Sequence, residues 1–189
     1  LAERTGAMLL IDEAHAVGVC GPEGRGLAAH LHGCDNVVTL VTCGKALGCE
    51  GALILAPTVF RDFLVNRGRS FIFSTAPSPL IAAIVRESLS IVAGADDRRE
   101  RLRQIIEHAH GRLAPLGIPP SGTHIQPVPI GEDSRTMRIA EALQARGFDI
   151  RGIRPPTVPA GTARLRVSLT LNIDEAAISE FATALEDLL

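Results

Sequence analysis

One lysine, Lys45, stands among nineteen basic residues, and every other one is arginine. A guanidinium keeps its charge, whereas an ε-amine can lose its proton and condense with a carbonyl. The residues around Lys45 suit that chemistry. The β-branched run Val37–Val41 reads as a buried strand leading into it, and Gly44, Gly48 and Gly51 let a planar ligand approach the backbone. A second group lies upstream, where the apolar run Ala7–Ile11 stops at Asp12-Glu13-Ala14-His15. Two acids and an imidazole thus stand at the C-terminal end of a strand, the edge at which open α/β sheets bind ligands. The stretch between the two strands is long enough for a parallel crossover, which would turn Asp12 and Lys45 toward one crevice. An acid to keep a pyridine nitrogen protonated and a lysine to form a Schiff base are what pyridoxal phosphate asks of a protein.

The elements that must hold these residues follow from spacing. Val17–Gly33 is dense in glycine and proline and reads as a loop, with a short helix at Leu27–Leu31. Ala52–Ala56 reads as another buried strand, Val59–Arg67 as a helix and Ser70–Thr75 as a further short strand. Pro79–Ile91 is expected to form a long helix and Arg98–Leu113 a charged amphipathic one, with the domain boundary near residues 90–96. The remainder alternates strand and helix: strands at Ile125–Ile130, Asp149–Ile153 and Arg164–Leu169, helices at Arg135–Arg146 and from an Asp174 cap to Leu189. The expected fold is α/β. Residues 1–92 form part of a larger domain with a mostly parallel sheet, and residues 93–189 a smaller α+β domain.

Composition narrows the class. With 46% hydrophobic and 21% charged residues the chain can bury a core, and a net charge of −2 argues against a nucleic-acid partner. No apolar run reaches the roughly 18 to 20 residues of a membrane span, and the N-terminus lacks a signal-peptide pattern, so a cytoplasmic location is expected. Cys20, Cys34, Cys43 and Cys49 show no C-x-x-C spacing, and reduced thiols are expected rather than a metal site or disulfides.

Four segments together resemble the α-oxoamine synthases, a family of pyridoxal-phosphate enzymes of fold type I. They are Asp12–Gly18 with Gly24-Arg25-Gly26-Leu27; Thr42-Cys43-Gly44-Lys45; Phe73-Ser74-Thr75; and Ile153–Arg166. Within the family the likeness is greatest to members that condense L-alanine with a pimeloyl thioester, carried by coenzyme A or an acyl carrier protein, and lose carbon dioxide. Members of the 5-aminolevulinate synthase, 2-amino-3-ketobutyrate ligase and serine palmitoyltransferase types are the near alternatives. The resemblance implies that Lys45 forms the Schiff base and acts as general base, Asp12 pairs with the pyridinium nitrogen, and His15 bonds the phenolic oxygen and assists proton traffic. It implies that Thr42 reaches the phosphate, and that Ser74 and Thr75 reach the phosphate of a neighbouring subunit, hence a homodimer with shared sites. Arg154 and Arg166 are the candidates to grip the substrate carboxylate, a planar fork suited to two charge-assisted bonds. Thr157 matches a substrate-contacting threonine, set in place by Pro155-Pro156.

Family members are about twice this length, so the resemblance is to a C-terminal half. The upstream half of such enzymes carries a glycine-rich phosphate loop, a serine and a histidine that stacks on the ring. This chain has no Trp or Tyr to stack instead. The expectation is that these residues alone hold the cofactor weakly. The sequence departs from the family at Cys43 and at Cys49-Glu50, where a carboxylate close to a phosphate should turn away or pair with an arginine. Asp12-Glu13-Ala14-His15 also occurs in helicase nucleotide sites, but no G-x-x-x-x-G-K-[ST] loop accompanies it and Lys45 is then unexplained. An inert dimerisation fragment is the third reading.

Overall fold

The computed structural model describes residues 1–189, the side chain of Glu3 excepted. The chain forms two compact units, Leu1–Arg99 and Glu100–Leu189.

In the first unit a single turn of helix, α1 (Ala2–Thr5), leads into a three-stranded sheet of β1 (Leu9–Asp12), β2 (Val37–Thr42) and β3 (Ala52–Leu55), in that spatial order. Strands β1 and β2 are parallel, with Leu9 opposite Val37 and Asp12 opposite Leu40; β3 returns antiparallel, Ala52 opposite Thr42. The crossover from β1 to β2 contains only two short 3-10 turns, Pro22–Gly24 and Ala29–Leu31. Next come α2 (Thr58–Arg67), α3 (Arg69–Ile72) and α4 (Pro79–Ala93), and then α5 (Asp96–Leu113), whose first turn belongs to this unit and the rest to the second. Ser78 caps α4, its hydroxyl accepting from the Leu80 amide, and Pro79 fills the first helical position. Arg99 closes the other end: its buried guanidinium donates to the Val92 carbonyl at 2.6 Å and to that of Ala93, and binds Asp96 at 2.6 Å. Carbonyls left over at a helix end are thereby satisfied by a cation, the sign the helix dipole favours there. Val41, Cys43, Leu47 and Val17 form the small core with Val85 of α4, and Leu53, Ile81 and Val92 pack on it.

Two expectations for this unit need correction. The apolar runs at Ala7–Ile11 and Ala52–Ala56 do form strands, but not buried ones: Leu10 is 72% exposed and Ile54 54%. Only β2 has a strand on both sides, and among the described residues no element covers those side chains of β1 and β3. The strand expected at Ser70–Thr75 is instead the helical turn α3 followed by an irregular segment. The amides of Phe71 and Ile72 both bond the Gly68 carbonyl at 2.9 Å, and Phe73 bonds that of Arg69. A short apolar run without alternation suits either structure, and here local helical bonds supply the partners.

In the second unit β4 (Ile125–Gly131), β6 (Ala163–Ser168) and β5 (Arg151–Ile153) make an antiparallel sheet with β6 central. Helix α6 (Asp133–Ala145) follows β4, and α7 (Glu175–Glu186) ends the chain with its cap, Asp174, accepting from the Ala177 amide at 2.9 Å. Strand β6 alternates strictly. Ala163, Leu165 and Val167 are buried, while Arg164, Arg166 and Ser168 take the opposite face. The buried set joins Ile105, Leu113, Leu143, Phe181 and Leu185 in one core, where Phe148 meets Phe181 edge-on at 5.7 Å.

Leu165, fully buried, and Leu171, 44% exposed, form a test pair. Leu165→Ala should destabilise the second unit by about 2–5 kcal/mol, the usual cost of such a cavity. Leu171→Ala should leave its urea midpoint close to wild type, measured by circular dichroism.

Candidate active site

Parallel pairing brings the ends of β1 and β2 to the same sheet edge, and the residues with chemistry follow immediately. After Asp12 the amide of Glu13 still bonds the Leu40 carbonyl at 2.9 Å, so the register extends past the last strand residue. The chain then turns sharply, with the Ala16 and Val17 amides folding back onto the Glu13 carbonyl. Asp12 stiffens the turn, its Oδ1 accepting from the Ala14 amide at 2.9 Å, and its side chain remains exposed. On the other strand Cys43 opens a loop that runs through Lys45. The Cys43 amide donates to the Gly51 carbonyl, the Cys49 amide donates to the Cys43 carbonyl and Gly48 donates to that of Lys45.

The two segments meet at Lys45 and His15. Lys45 Nζ lies 2.8 Å from His15 Nε2, a hydrogen bond whose donor depends on which nitrogen carries the proton. The two segments are also tightly apposed at Gly18, where an added Cβ would lie 2.6 Å from Cβ of Ala46. A carboxylate, an imidazole and a primary amine thus share one exposed edge. The set fits a pyridoxal ring, which needs an anion at its ring nitrogen, a hydrogen-bonding partner at its phenolic oxygen and an amine at its aldehyde. Among the described residues, no group of three His, Cys, Asp or Glu side chains is arranged to hold a metal ion.

The other expected residues lie as follows. Thr42 Oγ1 accepts from the Gly44 amide at 3.5 Å, a long bond inside the lysine segment. Ser74 and Thr75 are on the exposed stretch after α3; Ser74 donates to the Ser70 carbonyl, and Thr75 makes no hydrogen bond among the described residues. In the second unit Arg154 follows β5, and the Thr157 amide bonds its carbonyl at 3.0 Å across the two prolines. Arg166 lies opposite Arg151 on β5 and Pro127 on β4. Arg151 is paired with Asp149. Arg154 and Arg166 are exposed and without an ion pair among the described residues. Glu50 is exposed and pairs with no arginine among the described residues.

Burial raises the Cys43 thiol above its usual range, with a smaller push from Cys49. Burial also raises the Cys20 thiol, and the Glu13 carboxylate adds to the effect. Glu13, which the sequence suggests is structural, has partners that the sequence does not reveal. It is 2% exposed, and its carboxylate accepts from the Leu27 and Ala28 amides at 3.2 and 2.6 Å. The only sequence signal for it is an acid next to Asp12 together with a glycine-rich loop downstream.

Comparison with known proteins agrees with this arrangement. The family described as Aminotransferase class I and II matches residues 1–185. An 8-amino-7-oxononanoate synthase of Anaeromyxobacter dehalogenans is 44% identical over 192 residues, covering 100% of this chain and 48% of the relative. A structure of SPT with PLP internal aldimine superposes with a TM-score of 0.88 at 28% identity, over 99% of this chain and 48% of the other. A serine palmitoyltransferase from S. paucimobilis with bound PLP–myriocin aldimine gives 0.87 at 28% identity, over the same shares. The chain spans about half the length of the curated relatives it matches. With the strand-end acid, the lysine loop and both units accounted for, the chain belongs to the class I and II aminotransferase family.

Proposed function

We propose that this chain is the lysine-bearing part of a pyridoxal-phosphate-dependent acyltransferase that condenses L-alanine with a pimeloyl thioester. The products are 8-amino-7-oxononanoate, carbon dioxide and the free thiol, a step of biotin biosynthesis. The observation that carries the reading is the 2.8 Å contact between Lys45 Nζ and His15 Nε2, beside Asp12 at one sheet edge. Relatives named for this reaction, 44% identical, support the choice of substrates. Serine palmitoyltransferase, similar in fold at 28% identity, marks an alternative within the same chemistry.

Pyridoxal phosphate, when bound, supplies a protonated ring that withdraws electrons from the substrate. Asp12 holds the ring nitrogen in its charged form, and Lys45 Nζ is the attachment point and the base for the substrate α-proton. His15, in contact with Nζ, orients the amine and bonds the phenolic oxygen. Thr42, Ser74 and Thr75 hold phosphate, the last two across a homodimer. Arg154, Thr157 and Arg166 bind the substrate carboxylate, where the two unpaired guanidiniums suit an anion. Two compact units support reading residues 1–92 as part of a larger cofactor-binding domain and 93–189 as the small domain. No described helix is long and apolar enough to cross a membrane, which is compatible with the cytoplasmic site we infer.

Four outcomes are expected. Borohydride reduction of the cofactor-loaded full-length protein, followed by peptide mapping, should label Lys45; a label elsewhere overturns the assignment. Lys45→Ala should lose the label and at least about 10²- to 10⁴-fold in turnover, the usual contribution of a positioned base. Arg154→Ala and Arg166→Ala should each raise the KM for alanine roughly 10- to 100-fold, the loss of a hydrogen bond to a charged group. The isolated 189 residues should bind pyridoxal phosphate more weakly than the full-length protein in an absorbance titration, and adding the complementary segment should restore affinity.

A further inference from the structure

Glu13 is a buried carboxylate beside the candidate site with no cation paired to it among the described residues. Burying a carboxylate is costly unless hydrogen bonds replace its water, so its bonds need an account. It gathers three strands of backbone. Its amide continues the ladder onto Leu40 of β2 at 2.9 Å, and its carbonyl receives the Ala16 and Val17 amides at 2.9 and 3.1 Å. Its carboxylate receives the Leu27 and Ala28 amides, charge-assisted bonds to the far side of the glycine loop. That loop is cut to fit it. A Cβ on Gly26 would lie 2.8 to 3.0 Å from the three carboxyl atoms of Glu13, and the Gly26 amide closes the loop onto the Cys20 carbonyl at 2.9 Å. Asp12 precedes Glu13 in the chain, and His15 stands within the turn whose amides its carbonyl holds.

We propose that Glu13 is a positioning residue, whose buried carboxylate anchors the Asp12–Val17 turn to the Gly26–Ala28 backbone and so fixes the directions in which Asp12 and His15 leave the sheet edge. The inference rests on the cofactor reading of Asp12, His15 and Lys45 given above. Glu13 itself touches neither cofactor nor substrate. Its effect reaches the chemistry through the aim of its two neighbours, where a misplacement of about 1 Å can cost 10²-fold in rate.

The test uses the full-length protein loaded with pyridoxal phosphate. Glu13→Gln keeps the size of the side chain but sets an NH2 group against one of the two donor amides. It should lower kcat about 10²-fold with KM for alanine within about twofold, and should reduce the induced visible circular dichroism of the bound cofactor to less than half. Glu23→Gln, in the same loop with an exposed ion pair to Arg25, should change neither. A folded Glu13→Gln protein with wild-type kcat and wild-type induced signal overturns the proposal. Should that variant fail to fold, Gly26→Ala decides on the same two readouts, since its methyl group crowds the intact carboxylate; wild-type values there overturn the proposal equally. Borohydride labelling of wild-type Lys45 in the same preparation separates the two levels. No label defeats the cofactor reading, whereas a label with indifferent variants defeats the role of Glu13 alone.

Discussion

Parallel pairing of β1 with β2 is the constraint on which the first unit depends. It sets Asp12 beside Leu40, carries the hydrogen-bond ladder one residue further to Glu13, and delivers two chain reversals to one edge. An antiparallel pair would have sent the segments after each strand to opposite ends. Parallel strands require a long connection, and here that connection is mostly irregular chain built around glycines. The segment closes on itself through local backbone bonds, among them Gly18 to the Gly24 carbonyl and Gly26 to that of Cys20. It is tied to the turn that it accompanies by a carboxylate that takes up two of its amides.

The two units use different physics to present their charges. In the first, the amine and imidazole are brought together by a direct bond, and their neighbours Cys43, Leu47 and Val17 lie in the core. In the second, the arginines are placed by alternation along a strand whose other face is buried. Arg166 cannot turn inward without dragging Leu165 and Val167 out of a well-packed interior. The register that seats those apolar side chains therefore also sets the position of the guanidinium.

Much of this was legible in the residues. Lys45 stood out by its rarity, and Asp12 and His15 by an abrupt change from apolar to charged at a strand end. The α+β rhythm of the second half also carried through, because alternation in β6 and three- to four-residue spacing in α6 and α7 are strong local signals. What escaped were properties that depend on neighbours. Leu10 and Ile54 have the composition of core residues, but burial is decided by what lies alongside, and both stand on edge strands. Ser70–Thr75 holds too short an apolar run to separate strand from helix, and local bonds to Gly68 and Arg69 decided it. Glu13 reads from the sequence as structural, but its partners are main-chain amides, which leave no trace in side-chain identity, so what it holds was not legible.

The close approach of Gly18 to Ala46 bears on how the two segments can vary over evolutionary time. With 2.6 Å separating Cβ of Ala46 from where a side chain at position 18 would begin, position 18 cannot enlarge while residue 46 keeps its Cβ. Gly18 also holds a φ of 83°, so its identity is fixed by backbone shape as well as by space. Divergence at this junction is thus closed to position 18 and left to the residues around it. Homologues should drift in sequence there while preserving the separation of the two chains at the centre.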